Sequence, residues 1–286
     1  MDISIIVPFY KGNQYMQQLF GVVSRNAAAA PDKQVELVLV NDSPEVAIEY
    51  QPEWVRGFHL QILVNEVNSG IQRSRVNGLK KAQGTFVIFL DQDDLLADNT
   101  IASQFRYAQD GDVIVANGIN ENRDRNKPIY HSLAHQNQTA KPRFYYSVGC
   151  LIVSPGQCMI RAEKIPSVWL DDCIQCNGAD DYYLWLLMHW DCRWVSNPDV
   201  LYTHVDTGEN LSSNFEKMIT SSCEALELLA RSGKITPRHD RIARRRFRMR
   251  RFYEGKARWR KAVACLLYPG LFTELMIYTA IKRLCR

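Results

Sequence analysis

Residues 85–94 read Thr-Phe-Val-Ile-Phe-Leu-Asp-Gln-Asp-Asp, a short apolar run that ends abruptly in acidic residues. A continuous apolar run of this length is typical of a strand that is buried on both faces of a sheet. Asp91 and Asp93, one residue apart at the end of that strand, can both reach one divalent cation, because Mg²⁺ and Mn²⁺ prefer oxygen ligands. The alternative is a solvated acidic turn that caps the next helix.

The chain on either side of this strand alternates between short apolar runs and helical periodicity. Alternating strands and helices predict an α/β fold with a mainly parallel sheet. Residues 119–145 are polar, show little periodicity, and are predicted to form a long loop or a hairpin. The predicted strands cover Ile3–Pro8, Val35–Val40, Leu60–Val64, Thr85–Leu90 and Asp112–Ala116, and the predicted helices cover Asn13–Ala30, Ile71–Ala82, Tyr182–His189 and Phe215–Arg231.

Polar side chains follow three of these strands at the points where the strands end. Tyr10 comes after the first strand, Asp42 after the second, and Asp91–Asp94 after the fourth. Open parallel sheets bind ligands beyond the carboxyl ends of their strands. We therefore expect one acidic, polar cleft at that edge of the sheet.

Composition excludes several classes of protein. Apolar residues make up 46% of the chain and charged residues 23%, which is globular and excludes collagen-like or wholly disordered chains. The N-terminal residues lack the basic stretch of a secretory signal, so we expect the cysteines to be reduced cytosolic thiols. Cys173 and Cys176 form a C-x-x-C pair without a second pair for a structural zinc, and no zinc site is expected.

Charge is distributed unevenly along the chain. Residues 231–286 hold 17 Lys and Arg against three acidic residues, whereas residues 1–230 hold 18 basic and 28 acidic residues. An acidic body that carries a basic segment indicates a polyanionic partner, either nucleic acid or an anionic membrane surface.

The apolar stretch that follows the Arg-rich stretch 238–261 favours the membrane over nucleic acid. Residues 262–281 are about long enough to span a bilayer, but Pro269-Gly270 and Glu274 interrupt them. We expect residues 238–286 to lie on an anionic membrane surface without crossing it. The alternative is that a helix of this segment packs on the body of the protein.

Several motifs in collinear order over about residues 1–215 resemble those of the family 2 glycosyltransferases. The first strand end and the second match at Ile3–Tyr10 and Val40–Ser43. The longest match runs from Asn68-Ser69-Gly70 through Arg75, Gly78-Leu79 and Ala82-Gln83-Gly84 to Phe89–Asp94. An acidic helix start at Gly178–Tyr182, with Leu184-Trp185, and a closing segment at Tyr202-Thr203-His204 and Asn210-Leu211-Ser212 complete the resemblance.

The resemblance implies a GT-A fold and an inverting, metal-dependent transfer of a sugar from a nucleotide diphosphate sugar. Residues 1–118 correspond to the nucleotide-sugar-binding half, and residues 119–230 to the acceptor-binding and catalytic half of the same domain. Residues 231–286 lie beyond both halves and form the basic, amphipathic, helical segment for which we expect membrane association.

The resemblance also implies roles for individual residues. Carried over by position, Pro8 and Tyr10 line the base pocket, Asp42 contacts the base, Arg75 sits near the base or the phosphates, and Asp91 holds the ribose. Asp93 holds Mn²⁺ or Mg²⁺, with His204 near the metal or the diphosphate. Asp181 is the general base, and Asp180 beside it stands where the family usually has Glu.

Some positions depart from the family pattern. Asn41 replaces the more usual first Asp of its loop, Ser43-Pro44 replaces Gly-Ser, and Val76 stands where Asn is frequent. These departures leave the reaction class intact and weaken any assignment of the base and the sugar.

The expected function is transfer of a hexose from a UDP-sugar to a lipid-linked saccharide in cell-surface polysaccharide synthesis, as in O-antigen assembly. The enzyme would lie at the cytoplasmic face of the membrane. The alternatives are a cytosolic transferase acting on a soluble or protein acceptor, with the basic segment making oligomer contacts, and a nucleic-acid-binding protein. The oligomeric state stays open.

Overall fold

A mixed β-sheet with helices on both faces organises the chain, which the computed structural model describes over residues 1–121, 127–205, 207–208, 214–253, 263 and 266–284. The strands are β1 (Ile3–Phe9), β2 (Val35–Asn41), β3 (His59–Val64), β4 (Phe86–Phe89), β5 (Leu95–Leu96), β6 (Val113–Glu121), β7 (Lys127–Pro128), β8 (Cys158–Arg161) and β9 (Trp194–Val205). The helices are α1 (Asn13–Ala29), α2 (Ile71–Lys81), α3 (Thr100–Phe105), α4 (Leu133–Gln136), α5 (Pro142–Ser147), α6 (Ser167–Asp171), α7 (Asp180–Met188), α8 (Phe215–Arg231), α9 (Pro237–Tyr253) and α10 (Pro269–Leu284).

The sheet is parallel in its first half and mixed in its second. The strand order is β3-β2-β1-β4-β8-β6-β9-β5, with β7 paired to β6. Strands β1 to β4 pair in parallel, in the register Ile3↔Val35 and Ile3↔Phe86. Strand β8 enters antiparallel between β4 and β6, and β5 is antiparallel to β9. The α/β class is confirmed, and the five predicted strands are all present.

Two hydrophobic cores, one on each face of the sheet, explain the continuous apolar pattern of β1. Ile3, Ile5 and Val7 pack with α1 and α3 on one face, whereas Ile6 packs with α2, α7 and α8 on the other. All four side chains are fully buried. A strand covered on both faces is apolar at nearly every position, so its sequence shows a run and no alternation. The exception in β1 is Ser4, which is buried and donates a hydrogen bond to the carboxylate of Glu36.

For residues 119–145, the predicted hairpin is confirmed at the start of the range, and the predicted loop is wrong for the remainder. Strand β6 continues to Glu121 and pairs antiparallel with β7, which makes a hairpin whose residues 122–126 lie outside the described ones. Helices α4 and α5 then replace the predicted loop. They are too short to show a helical period, and α5 is held by the burial of Phe144, Tyr145 and Tyr146.

Helix α9, part of the predicted basic segment, packs on the body of the protein through one face. It lies against α5 and α8, and Ala243, Arg246 and Phe247 on this face are buried. Helix α10 lies against α4 and α5. Within the described ranges, no helix is both long enough and apolar enough to cross a membrane. Residues 254–262, 264–265 and 285–286 of the predicted segment lie outside those ranges.

The close approach of backbone segments before β4 predicts a severe effect of a small substitution. A Cβ atom on Gly84 would lie 2.5 Å from the backbone N of Ser4 and 2.6 Å from the backbone O of Phe86. We expect Gly84→Ala to lower the free energy of unfolding by about 1–3 kcal/mol, because the backbone must shift to admit the methyl group. Denaturant unfolding measures this loss.

The matched control is Gly270→Ala. Gly270 lies in α10, and within the described ranges no atom beyond its chain neighbours and the backbone of its own helix lies within 4 Å of the position that its Cβ atom would take. Alanine is also the better helix former. We expect this variant to be as stable as the parent or slightly more stable. Equal stability of the two variants would contradict the packing described for Gly84.

Candidate active site

The carboxyl ends of β1, β2 and β4 meet at one edge of the sheet because the three strands are parallel neighbours. This edge therefore carries Tyr10, Asp42 and the Asp91–Asp94 segment, as the sequence predicts. Pro8 lies at the end of β1, partly exposed, opposite Val40. Tyr10 is 48% exposed, and Nζ of its neighbour Lys11 lies over its ring, 5.4 Å from the ring centroid.

Arg75 ties this edge to the N-terminus of α7. Its Nη2 donates to Oδ1 of Asp91 at 2.5 Å, and its Nη1 donates to Oδ2 of Asp180 at 2.6 Å. The Arg75 side chain is 3% exposed, and that of Asp180 is 6% exposed. Burial alone would disfavour the charge of the Arg75 guanidinium, but the carboxylates of Asp180 and Asp91 outweigh burial and raise the pKa of Arg75. The arginine is thus a permanent cation between two acidic motifs.

Further hydrogen bonds hold Asp180 in place. The indole Nε1 of Trp169 donates to the backbone O of Asp180 at 3.0 Å. Trp169 is fully buried, and its own backbone O accepts from Nε2 of Gln72 at 3.0 Å. Gln72 and Arg75 both belong to α2, so this helix positions the start of α7 through two of its side chains.

Asp181 is the more open carboxyl of the adjacent pair. Its Oδ1 accepts the backbone N–H of Tyr182 at 2.6 Å, and the thiol of Cys150 lies 3.8 Å from Oδ2. Removal from water and the negative charge of Asp180 raise the pKa of Asp181 to about 7. A carboxyl with such a pKa is half ionised near neutral pH, which suits a group that must accept a proton.

Asp93 is largely removed from water and lies near the carboxylates of Asp94 and Asp91. Burial and the charges of Asp94 and Asp91 raise its pKa to about 6. In the described part of the chain, no side chain donates a hydrogen bond to Asp93, and no three His, Cys, Asp or Glu residues are placed to hold a metal by themselves. The carboxylate oxygens of Asp93 and its neighbours fit a hard divalent cation that takes its other ligands from a diphosphate and water.

Asp94, which the resemblance left without a role, anchors the end of β9. Its buried carboxylate accepts hydrogen bonds from the Tyr202 hydroxyl, from Nδ1 of His204 at 3.0 Å and from the backbone N of Val205 at 3.1 Å. The hydrogen bond that His204 donates to Asp94 raises the pKa of His204. The signal was present in the sequence, since Asp94 directly follows the predicted metal motif. Asn210-Leu211-Ser212 of the closing segment lie outside the described residues.

Asp42 serves the local structure with most of its acceptor capacity. Its Oδ1 accepts from Nδ2 of Asn65 at 2.8 Å and from the backbone N of Ser69 at 2.7 Å. Its Oδ2 accepts from the backbone N of Gly70 at 2.9 Å. A carboxylate has about four acceptor positions, so one position remains for the predicted contact with a base.

We predict a structural effect of Asp42→Ala in the protein without nucleotide. The substitution leaves three donors without their acceptor, and we expect the free energy of unfolding to fall by about 2–4 kcal/mol. Asp98→Ala is the control, because Asp98 is an exposed partner of Arg25 and exposed ion pairs contribute about 0–1 kcal/mol. Thermal and denaturant unfolding distinguish the two; a loss no larger than that of the control would refute the role.

Comparison with known proteins identifies a family of sugar-transferring enzymes. The family model described as glycosyl transferase family 2 matches residues 4–169. An uncharacterized glycosyltransferase of Haemophilus influenzae is 29% identical over 118 residues, which are 41% of this chain and 46% of that protein. The Escherichia coli UDP-Glc:alpha-D-GlcNAc-diphosphoundecaprenol beta-1,3-glucosyltransferase WfgD is 24% identical over 64% of this chain and 68% of its own length.

Solved structures share the fold. Staphylococcus aureus TarS 1-349 in complex with UDP-GlcNAc has a TM-score of 0.63 at 19% identity, covering 89% of this chain and 73% of that one. The mannosyltransferase PcManGT from Pyrobaculum calidifontis, in complex with GDP-Man and Mn²⁺, has a TM-score of 0.58 at 16% identity, covering 99% of this chain and 81% of that one. The chain spans less than half the length of the first relatives matched by sequence.

Proposed function

The chain belongs to glycosyl transferase family 2, and on that premise we propose that it is an inverting hexosyltransferase that uses a UDP-sugar and a lipid-linked saccharide acceptor. The observation that carries the proposal is the buried Arg75 bridge. It holds Asp91, at the end of β4, and Asp180, at the start of α7, on one guanidinium. Asp181 is thereby kept beside the cleft at the carboxyl ends of the strands.

The donor would lie across this cleft. We propose that Pro8 and Tyr10 line the base pocket, that Asp42 offers its remaining acceptor position to the ring N–H of uracil, and that Asp91 holds the ribose. Arg75 has both terminal nitrogens engaged by carboxylates, so its contribution near the phosphates is the fixed positive charge that it places there. The UDP-GlcNAc named for the TarS complex supports a UDP-sugar donor.

Asp181 is proposed as the general base. The acceptor hydroxyl gives its proton to the Asp181 carboxylate, its oxygen forms a bond to the anomeric carbon, and the bond from that carbon to the diphosphate oxygen breaks with its electron pair going to the diphosphate. One displacement inverts the anomeric configuration. Asp180 forms an ion pair with Arg75. Removal from water and the charge of Asp180 favour the protonated form of Asp181 afterwards.

Asp93 and His204 are the residues that would hold the divalent cation. One support is the carboxylates of Asp91 and Asp94 that lie near Asp93. Another is the contact between Nδ1 of His204 and Asp94, since metal-binding histidines commonly bond a carboxylate through their other ring nitrogen. Mn²⁺ or Mg²⁺ bound there supplies positive charge to the departing diphosphate.

A membrane-bound acceptor fits the outer face of α9. Arg241, Arg245 and Arg248 are exposed on one side of this helix, opposite its buried face, and no acidic side chain in the described ranges pairs with them. Helix α10 exposes Phe272, Met276 and Ile277. Basic and apolar side chains together suit an anionic lipid surface, and the diphosphoundecaprenol in the name of WfgD supports a lipid-linked acceptor.

The pH dependence of transfer tests the general base. Because the pKa of Asp181 is raised to about 7, we expect turnover to rise up to tenfold per pH unit from about pH 6 to 7 and to level off above that range. Below about pH 6, protonation of Asp93 adds a second fall in turnover. We expect Asp181→Asn to lower turnover by about 10²–10⁴-fold and to abolish this acidic limb. Steady-state rates from pH 5 to 9 measure both.

Asp172→Asn is the control for this substitution, because Asp172 is an exposed carboxylate shortly before α7. Its rate and its pH profile should match those of the parent. Retention of the acidic limb in Asp181→Asn, or its disappearance in Asp180→Asn together with a greater loss of turnover, would overturn the assignment of the base.

Sedimentation with vesicles tests the membrane surface. Each basic residue near an anionic surface contributes about 1 kcal/mol, so we expect Arg241→Gln, Arg245→Gln and Arg248→Gln together to weaken binding to phosphatidylglycerol vesicles about 100-fold. The control carries Arg25→Gln, Arg56→Gln and Lys81→Gln, three exposed basic residues elsewhere on the body. Equal binding of both triple variants would favour a soluble acceptor.

A further inference from the structure

Gln92, the residue between Asp91 and Asp93, makes two hydrogen bonds to a distant loop. Its Oε1 accepts the backbone N–H of Tyr10 at 3.0 Å, and its Nε2 donates to the backbone O of Tyr10 at 3.1 Å. The two residues are 82 positions apart in the chain. One amide thus pairs with both polar groups of a single residue, as neighbouring residues do in a β-ladder.

The loop that Gln92 contacts is shaped around its amide. A Cβ atom on Gly12 would lie 2.2 Å from Oε1 of Gln92 and 2.5 Å from Cδ, so glycine leaves the space that the amide occupies. Lys11, between Tyr10 and Gly12, has a φ of 48°, a left-handed conformation that non-glycine residues rarely adopt. Its backbone N donates to Oγ of Ser43 at 3.1 Å.

The strain at Lys11 requires that its surroundings hold the loop in place. Gln92 holds the loop from the side of the acidic motif, and Ser43 holds it from the end of β2. What the loop presents is the Tyr10 ring, which is 48% exposed. An exposed aromatic face beside a polar cleft is suited to stacking on a planar ring.

We propose that Gln92 is a positioning residue, which fixes the Tyr10 ring relative to Asp91 and Asp93 so that the base and the diphosphate of one nucleotide engage together. This inference rests on the proposed function and deepens it. Gln92 does not itself contact the donor. The backbone of Gln92 lies between Asp91 and Asp93, at the site for the diphosphate, and its side chain holds the Tyr10 loop, at the site for the base. Gln92 therefore sets the distance between the two sites.

The direct test compares a nucleotide with a ligand that lacks the base. Gln92→Met keeps the length of the side chain and removes both hydrogen bonds to Tyr10. We expect the affinity for UDP in the presence of Mn²⁺, measured by calorimetry, to fall about tenfold. We expect the affinity for inorganic pyrophosphate with Mn²⁺ to change less than twofold, because Asp91 and Asp93 stay in place.

Two further variants separate positioning from damage to the fold. Gly12→Ala places a methyl group where the Gln92 amide lies, and it should lower the affinity for UDP in the same way. Gln92→Glu keeps the acceptor for the Tyr10 N–H but turns a carboxylate oxygen toward the Tyr10 carbonyl, so it should not restore the affinity. Gln17→Met, at an exposed position of α1, is the control that should bind both ligands like the parent.

The kinetic signature is a separation of KM from kcat. In Gln92→Met the KM for the UDP-sugar should rise about tenfold while kcat changes less than twofold. Parent-like UDP affinity in both Gln92→Met and Gly12→Ala, or equal weakening of UDP and pyrophosphate, would overturn the inference. Failure of the unaltered protein to bind any nucleoside diphosphate would overturn the proposed function first, and the inference with it.

Discussion

A guanidinium buried between two carboxylates is the interaction on which the arrangement of the site depends. Arg75 lies on α2, Asp91 follows β4, and Asp180 begins α7, so three separate elements meet in one charged group. Removing either carboxylate takes away one of the two ion pairs of a buried guanidinium, and breaking a buried ion pair is destabilising in proteins. The pair of bridges therefore fixes where α7 begins relative to the sheet.

The same interaction divides the work between two neighbouring acids. Asp180 forms an ion pair with Arg75. Asp181, one residue further along, has a pKa that removal from water and the charge of Asp180 raise to about 7. A carboxyl whose pKa lies near the working pH is suited to accept a proton from a substrate. The proposed division of roles follows from which of the two carboxylates the arginine reaches.

The sequence is informative where burial and local pattern determine structure. Strand β1 and helix α8 follow from a continuous apolar run and from a clear helical period, and the polar residues after β1, β2 and β4 meet because parallel strands end together. Strand β8 was not predicted, since four residues carry no period. Helix α5 was missed for a similar reason, because burial of Phe144 and Tyr145 replaces a repeating pattern.

Individual roles in the site were less accessible than its location. That Arg75 bonds two carboxylates depends on Asp180, 105 residues away, and spacing in the chain contains no such distance. Asp94 directly follows the predicted metal motif in the sequence. Its part in holding β9 requires Tyr202 and Val205, which lie more than 100 residues further along the chain. Helix α9 carries basic residues throughout, and only packing shows which of its faces is buried.

The anomeric configuration of the product tests the central claim most directly. The unaltered protein, with a divalent cation and a panel of UDP-hexoses, is offered a saccharide diphosphate lipid, and the coupling constant of the new anomeric proton is read by NMR. A single displacement assisted by Asp181 predicts a linkage of opposite configuration to that in the donor. A product with the donor's configuration, or no transfer from any UDP-hexose, would contradict the account.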